Sequence, residues 1–325
     1  MKKINALLAM FAATTMLFSC NNDDDGGGTN IPDPAENTSL LIANDSGDLY
    51  EVQDNNAQFT DYGQIQGIDF QVNNSAMVST NNNIYAIERQ VNSLSEYELH
   101  LLIYNKSDDY TQNVILSLPA SLNVTNPSMT ALTINGSSIY GVLYEGLSSA
   151  TIKIVSINTS TFEITDTGIE MSNINAAVTG LLYTNSKLYM STWGAGFYEI
   201  DLEAQTTTEI QALGEPLNST RMAKLDNTHI GMLKIVPNYT NGGNFVILNL
   251  EDNSLINTFQ NNIYQVSSIS GNGFFNEDTY YVYGTSVATP TYPGLLAFNV
   301  YTGLPSFINN SNTLSGNLII LDTIE

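Results

Sequence analysis

The amino-acid sequence predicts an all-β fold, a six-bladed β-propeller of four-stranded antiparallel blades, on three observations. A short hydrophobic strand ending in an amide or acid recurs six times, at intervals of 43 to 53 residues. A second hydrophobic strand precedes each copy, and helix-type periodicity is absent. Units of roughly 40–50 residues with several strands each are typical of propeller blades. The six copies end at Val52-Gln53, Tyr104-Asn105, Ile157-Asn158, Ile200-Asp201, Leu248-Asn249 and Phe298-Asn299.

Each predicted blade has an inner strand with small residues and an outer, more polar strand, such as Phe162–Thr167. Clusters of Asn, Gly and Ser between the strands indicate tight turns. Four strands repeated radially make one blade each. The predicted inner strands are Ala76–Thr80, Thr130–Ile134, Val178–Tyr183, Met222–Leu225 and Ser268–Phe274.

The two ends of the folded region predict how the ring closes. The first unit begins directly with its second strand, Ser39–Ala43, whereas Leu318–Asp322 is a strand without a blade of its own. We expect this C-terminal strand to complete the first blade, because closure leaves no unpaired sheet edge. Seven blades are the alternative if 66–123 contains further strands. A β-solenoid is disfavoured because each unit needs four strands.

The first 37 residues are predicted to lie outside the fold. Lys2 and Lys3 precede an apolar stretch that is too short to span a bilayer. It ends in Leu17-Phe18-Ser19-Cys20, which resembles the lipobox of bacterial lipoproteins, where the signal peptide is cleaved before an acylated cysteine. The alternative is an ordinary secretory signal with an incidental cysteine. The expected organisation is a signal peptide at 1–19, a lipidated tether at 20–37 and a propeller at 38–325.

The tether is rich in Gly, Pro and acidic residues, so it is expected to be flexible. Its run Asp23–Asp25 resembles the export signal that sends some Gram-negative lipoproteins to the cell surface. The alternative is a solvated linker. We therefore expect an outer-membrane lipoprotein, held through acylated Cys20, that lies on the cell surface or otherwise faces the periplasm.

Composition excludes several classes of function. The chain carries 32 acidic and 9 basic residues, a net charge of −23. Cleavage after Ser19 would remove two lysines and leave −25, which repels nucleic acid. Without Cys20 the mature fold has no thiol, so disulfides, zinc–thiolate sites and cysteine nucleophiles are excluded.

No catalytic constellation stands out. His100 and His229 are the only histidines, and we interpret each as a half-exposed strand residue. No serine nucleophile elbow is visible, and Gly194-Ala195-Gly196 is expected to be a turn. The sequence therefore predicts a protein that is not an enzyme and has no cofactor. Calcium held by carboxylates around the central funnel stays open as a metal site.

Propellers usually bind on the face formed by the loops between second and third strands and the loops between blades. Here these loops are expected to bring cations and aromatic rings together, a combination that suits sugar rings, catecholates or peptide side chains. The alternative is that the rings pack at the blade ends and the cations form local salt bridges. The candidate ligand-binding residues are Arg89, Tyr144, Trp193, Arg221, Lys234, Tyr239 and Tyr292.

The strands Lys187–Ser191 and Phe197–Asp201 resemble the extracytoplasmic bacterial propellers whose repeats are of the Tyr-Val-x-Asn kind. The resemblance extends over 38–324, although blade five departs from it at Gly231. It implies a protein that binds ligands or partners. A narrower analogy to surface propeller lipoproteins that capture siderophores implies uptake of a small molecule.

The predicted function is capture of a small molecule or glycan, a siderophore among the candidates, on the loop face. The ligand would pass to an outer-membrane transporter. One alternative is a protein–protein interaction scaffold. The other is a propeller hydrolase or lyase that uses funnel carboxylates.

Overall fold

The structure is a computed structural model. It describes residues 38–53, 59–69, 76–146, 151–174, 177–192, 196–210, 218–235, 243–259, 264–265, 272–286, 293–309 and 318–324, all within the compact unit Pro32–Glu325. The predicted signal peptide and tether lie outside these residues. Apart from the 3-10 turn Ala120–Leu122, the elements assigned in them are strands. Nowhere in them is there a helix long and apolar enough to cross a membrane.

The described residues contain twenty-five strands. Blade 1 contains β1 (Ser39–Asn44), β2 (Asp48–Gln53) and β3 (Phe59–Gln64). Blade 2 contains β4 (Met77–Ser79), β5 (Asn83–Val91), β6 (Tyr97–Asn105) and β7 (Tyr110–Leu116). Blade 3 contains β8 (Pro127–Asn135), β9 (Ser138–Glu145), β10 (Thr151–Asn158) and β11 (Ile164–Ser172). Blade 4 contains β12 (Val178–Thr184), β13 (Lys187–Thr192), β14 (Phe197–Asp201) and β15 (Thr206–Glu209). Blade 5 contains β16 (Asn218–Lys224), β17 (His229–Ile235), β18 (Gly243–Asn249) and β19 (Leu255–Phe259). Blade 6 contains β20 (Tyr264–Gln265), β21 (Phe274–Asn276), β22 (Thr279–Ser286), β23 (Pro293–Asn299) and β24 (Pro305–Asn309). The last strand, β25 (Leu318–Ile324), returns to blade 1.

The predicted six-bladed propeller is confirmed. Each blade is an antiparallel sheet, and the first has the order β25-β1-β2-β3. The C-terminal strand is therefore the inner strand of the first blade, with Leu318 opposite Asn44 and Ile324 opposite Ser39. The described part of 66–123 holds only the strands of blade 2, so the seven-bladed alternative is not needed.

The predicted inner strand of blade 6, Ser268–Phe274, lies mostly outside the described residues. The two short strands that are described, β20 and β21, pair with opposite ends of β22. A Cβ at Gly273 would lie 2.6 Å from the Arg221 carbonyl oxygen and would meet the Tyr280 ring, so a glycine permits this close approach.

The recurring amide or acid has a local cause. At the end of the third strand in blades 2 to 6, its side-chain oxygen accepts a hydrogen bond from the backbone N–H two residues later, at 2.8–3.1 Å. This Asx turn directs the chain into the fourth strand. The five residues are Asn105, Asn158, Asp201, Asn249 and Asn299.

A second repeated bond defines one face of the disc. In blades 2, 3, 5 and 6 a backbone N–H in the turn after the third strand donates to a carbonyl in the turn between the first two strands, as from Lys106 to Asn82 at 2.9 Å. Both sets of turns therefore lie together, and we call this side the turn face. The opposite side, with the second-to-third-strand loops and the blade-joining loops, is the loop face.

The core lies between the blades. One hydrophobic cluster joins blades 1, 2 and 3, and a smaller one joins blades 3 and 4. A third cluster packs the closing strand, through Leu318 and Ile320, against Tyr281 and Leu295 of blade 6. Closure is thus sealed by apolar packing as well as by the strand pairing.

Candidate functional site

A cavity of about 290 Å³ lies on the propeller axis, and we call it the axial cup. All six blades contribute to it through their inner strands. Its walls are mostly apolar, with five polar side chains among them. The lining residues are 77–79, 133–134, 182–183, 222–224, 272–275 and 319–321.

The axial cup lies nearer the turn face than the loop face. Thr133, Leu182 and Lys224 all stand in the second half of their strands, the half that leads into the turn toward the second strand. Ile134, Tyr183 and the exposed Lys224 are the lining residues closest to those turns. The expected ligand site on the opposite, loop face stays a prediction.

A network of polar groups crosses the axis on the loop-face side of the cup and forms its floor. Asn272 Nδ2 in blade 6 donates to the Leu181 carbonyl of blade 4 at 3.1 Å. The Tyr280 hydroxyl of blade 6 donates to the Arg221 carbonyl of blade 5. Arg221 Nη1 lies 3.5 Å from the Leu318 carbonyl of blade 1. Four blades are therefore tied together at the bottom of the cup.

Arg221 occupies an unusual position. It lies in a β-bulge of β16, between Thr220 and Ala223, with φ at 64° in the left-handed region. Its side chain is only 1% exposed. Burial lowers the pKa of Arg221 to about 10, although the nearby Tyr280 hydroxyl acts in the opposite direction. The predicted loop-face cation is thus part of the floor of the axial cup.

The walls of the cup carry flat groups. Tyr183 stacks on Tyr140, with ring centroids 5.5 Å apart and planes 5° from parallel. Its backbone N–H donates to Thr133 Oγ1 at 3.0 Å, across the boundary between blades 3 and 4. The half-buried Phe275 contributes further apolar surface, whereas Met222 is fully buried in the core. The cup therefore offers a fixed aromatic face.

The charge distribution inside the cup is one-sided. None of its described lining residues is acidic, although the chain has 32 acidic residues. Lys224 is the one cation that lines it, and it forms no ion pair with a described carboxylate. Lys106, Lys153 and Lys187, in contrast, are paired with Asp322, Glu170 and Glu199.

A smaller polar cavity of about 250 Å³ adjoins the closing strand between blades 1 and 2. Asp322 Oδ2 lies 2.7 Å from Lys106 Nζ and 3.0 Å from Ser79 Oγ. The carboxylate of the last strand is thereby neutralised by blade 2. This arrangement reinforces closure of the ring.

Arg89 and Tyr144, the other two predicted site residues with described side chains, hold neighbouring blades together. Arg89 donates to the Pro127 carbonyl at 3.1 Å and to Asn126 Oδ1 at 2.5 Å, and its guanidinium lies 3.4 Å from the centre of the Tyr97 ring. These contacts join blade 2 to blade 3. The local salt bridge expected as the alternative for Arg89 is not among the contacts of the described residues; its guanidinium bonds a carbonyl and an amide instead.

Tyr144 is 3% exposed, on β9 in blade 3. Its hydroxyl oxygen accepts a hydrogen bond from the backbone N–H of Val178 in blade 4, at 3.1 Å. Burial raises the pKa of Tyr144, while the hydrogen bonds from Thr130 and Val178 act in the opposite direction. The geometry favours packing over ligand contact for this residue too.

The remaining predicted site residues give no test of the loop face. Trp193, Tyr239 and Tyr292 lie outside the described residues. For Lys234 only the backbone is described, opposite Ser219 in the sheet of blade 5. Arg89, Tyr144 and Arg221 are not brought together, since they belong to blades 2, 3 and 5.

The histidines have ordinary partners. His100 Nδ1 lies 2.8 Å from Asn113 Oδ1, and His229 Nδ1 lies 2.8 Å from Asp226 Oδ2 in a turn. Within the described part of the chain, no group of three His, Cys, Asp or Glu side chains could hold a metal ion.

One projecting element lies apart from the cup. The β5–β6 hairpin has two nine-residue strands, and its turn is held by Asn92, whose side-chain oxygen accepts from the N–H groups of Leu94 and Glu96. Leu94 at the tip is 75% exposed, and Val91 and Tyr97 are exposed beside it. The candidate residue Arg89, which was expected in a loop, lies in strand β5 of this hairpin.

Sequence reasoning missed the residues of the axial cup. The small-residue inner strands were recognised, and they do surround the axis. What could have pointed to the cup is Lys224, because a cation at the end of an inner strand is rare in so acidic a chain. The floor could not be found this way, because Asn272 and Arg221 meet their partners 91 and 97 residues away.

No protein-family model matches this sequence, and no curated protein matches it. A puromycin-hydrolyzing peptidase from Mycobacterium tuberculosis is similar in structure, with a TM-score of 0.51 and 8% identity over 85% of this chain and 44% of that one. A puromycin hydrolase mutant has a TM-score of 0.53 and 10% identity, over 86% of this chain and 48% of that one. BamB from Moraxella catarrhalis has a TM-score of 0.39 and 12% identity, over 70% of this chain and 62% of that one. This chain spans about half the length of the two hydrolases. Such similarity shows the β-propeller fold alone, a fold that suits ligand binding or an interaction scaffold in general.

Proposed function

We propose that this protein is a lipid-anchored, extracytoplasmic propeller that binds a small ligand in the axial cup without transforming it. The observation that carries the proposal is the cup itself: a cavity of about 290 Å³ with mainly apolar walls and a few convergent polar groups. Ligand pockets in proteins are concave and apolar in this way, and about 300 Å³ is the lower end of their usual size.

The anchor and the location are proposed from the sequence. The lipobox-like Leu17–Cys20 and the acidic tether support acylation of Cys20 and exposure on the outer membrane. In that setting a captured ligand would be passed to an outer-membrane transporter. The two hydrolases that share the fold offer a propeller hydrolase as an alternative, but no described feature of the cup favours catalysis.

The proposal moves the site from the loop face to the turn face. On the loop face, the two candidate side chains Arg89 and Tyr144 are committed to blade contacts. On the turn face, the inner strands of all six blades line the cup, so a ligand bound there would bury part of its apolar surface against them.

The test is a thermal-shift screen of the purified full-length chain against glycans, ferric siderophores, haem, divalent cations and small aromatic acids and alcohols. A ligand that binds only the folded state raises Tm, because it stabilises that state by about 2.7 kcal/mol when its concentration is 100 times its Kd. Two blocking variants, Ile134→Trp and Leu321→Trp, would fill the cup from blades 3 and 1. Ile115→Trp on exposed β7 is the matched control.

The expected result is a shift that both blocking variants abolish and the control retains, with all variants folded by circular dichroism. A shift that survives in both blocking variants would refute the cup as the site. No shift across the panel would favour the second candidate, a protein-interaction scaffold. That candidate has its own observation in the exposed apolar tip of the β5–β6 hairpin, around Leu94.

A further inference from the structure

The axial cup also indicates which chemical class of ligand it takes, an inference that rests on the proposed function. Its size sets the first limit. An apolar protein cavity of about 150 Å³ is known to hold benzene. The cup has about 290 Å³, close to twice that volume, so it has room for an apolar body of about two rings.

The walls set the second limit. On one side the aromatic ring of Tyr183 is fixed by its stack on Tyr140, and Phe274 and Phe275 contribute from blade 6. Met77 and Met222 also border this wall, but they are 2% and 0% exposed and support it from the core. Flat rings favour a planar body over a flexible sugar, whose hydroxyls would find few partners here.

Charge sets the third limit. Lys224 is exposed at the turn-face end of the cup, and the described lining contains no carboxylate. Two of the acidic groups nearest in the chain have partners: Asp226 bonds His229 and Thr228, and Asp322 pairs with Lys106. A third, Glu277, is exposed in the turn after Phe275 and does not line the cup. Burial acts to raise the pKa of Asp226, but the hydrogen bonds from His229 and Thr228 prevail and lower it.

We propose that the axial cup binds a small organic carboxylate with a two-ring apolar body, inserted with its rings toward Tyr183 and Phe275 and its carboxylate at Lys224. The floor of Arg221 and Asn272 lies at the other end of the cavity, so the anion points toward the turn face. Because the net charge of −23 repels any anion, selection of this ligand against its cationic analogues depends on the acid-free lining and its one lysine.

The experiment compares three probes with one body and different charges: naphthoate, naphthalenemethanol and naphthylmethylammonium. Isothermal titration of the full-length chain gives Kd for each. An exposed ion pair is worth up to about 1 kcal/mol, so naphthoate is expected to bind about three- to fivefold more tightly than the alcohol. The ammonium compound is expected to bind most weakly, and the preference for naphthoate should shrink at about 0.5 M salt.

Variants assign the preference to one residue. Lys224→Met should bring naphthoate to the affinity of the alcohol, whereas Lys224→Arg should keep the preference. Lys153→Met, which removes a lysine outside the cup, is the matched control and should behave as the parent. Equal binding of all three probes, or a naphthoate preference that persists in Lys224→Met, would overturn the inference. If none of the probes binds while another ligand is lost in Ile134→Trp, the ligand class is wrong and the proposed function stands.

Discussion

Replacement of Tyr144 by phenylalanine separates packing from ligand binding at a residue that the sequence placed in a ligand site. The change removes one oxygen and leaves the ring in the boundary between blades 3 and 4. The Val178 N–H, itself buried, then loses the acceptor that lies 3.1 Å away. A buried backbone donor left without a partner costs about 1–3 kcal/mol.

The corresponding change in Tm follows from the size of the domain. With an unfolding entropy of about 2.1 cal/mol/K per residue, the region 38–325 unfolds with about 0.6 kcal/mol/K, so Tm should fall by roughly 2–5 °C. Differential scanning calorimetry measures this shift. Tyr301→Phe is the matched control, because Tyr301 is 76% exposed. An unchanged Tm in Tyr144→Phe together with weakened ligand binding would refute the packing role and restore Tyr144 to a binding site.

Two further predictions concern closure and alkaline pH. Ile320→Ala in the closing strand should lower the free energy of unfolding by about 2–5 kcal/mol, because Ile320 is buried against blade 6. Ile256→Ala, on an exposed surface, should lower it little. Urea unfolding compares the two variants, and equal stability would contradict the packing role of Ile320. Stability should also fall above about pH 10, where a tyrosine in the unfolded chain loses its proton. Burial raises the pKa of the same tyrosine in the folded protein, so the unfolded state releases protons that the folded state keeps. Arg221 acts in the opposite sense, since the unfolded state holds its proton to higher pH than the folded state does. Tm between pH 8 and pH 11.5, followed with phenolate absorbance, checks the sum, and a Tm that rises across this range would contradict it. The tyrosines with a raised pKa are Tyr50, Tyr62, Tyr104, Tyr140, Tyr144, Tyr189 and Tyr280.

The architecture could be predicted from the sequence because its cause is local and repeated. The Asx turn at Asn158 needs only one side-chain oxygen and an N–H two residues later, and the same turn recurs in blades 2 to 6. A pattern of this kind is visible without knowledge of tertiary contacts. The closure by β25 was predictable for a related reason, since a first blade without an inner strand and a last strand without a blade complete each other.

The site could not be predicted in the same way because its residues owe their positions to distant partners. The predicted inner strand of blade 5 began at Met222, so Arg221 was expected in the loop before it. In the structure a β-bulge turns Arg221 inward, toward the carbonyl of Leu318. Tyr144 ends a strand, where a ring can face solvent or the next blade. The outcome depends on Val178, which belongs to that next blade. The local sequence around Arg221 and Tyr144 therefore does not predict which way either side chain faces.

The same contacts explain why the cavity lies toward the turn face. The bonds from Asn272 to blade 4 and from Arg221 to blade 1 each skip one blade, and the Tyr280 bond joins the neighbouring blades 6 and 5. They draw blades 4, 5, 6 and 1 together on the loop-face side of the cup. Gly273 is required there, because any Cβ would push Tyr280 away from the Arg221 carbonyl. On the turn-face side, no bond between described residues crosses the axis, and the inner strands end in separate tight turns. The cup is therefore closed by the floor on the loop-face side and open on the turn-face side.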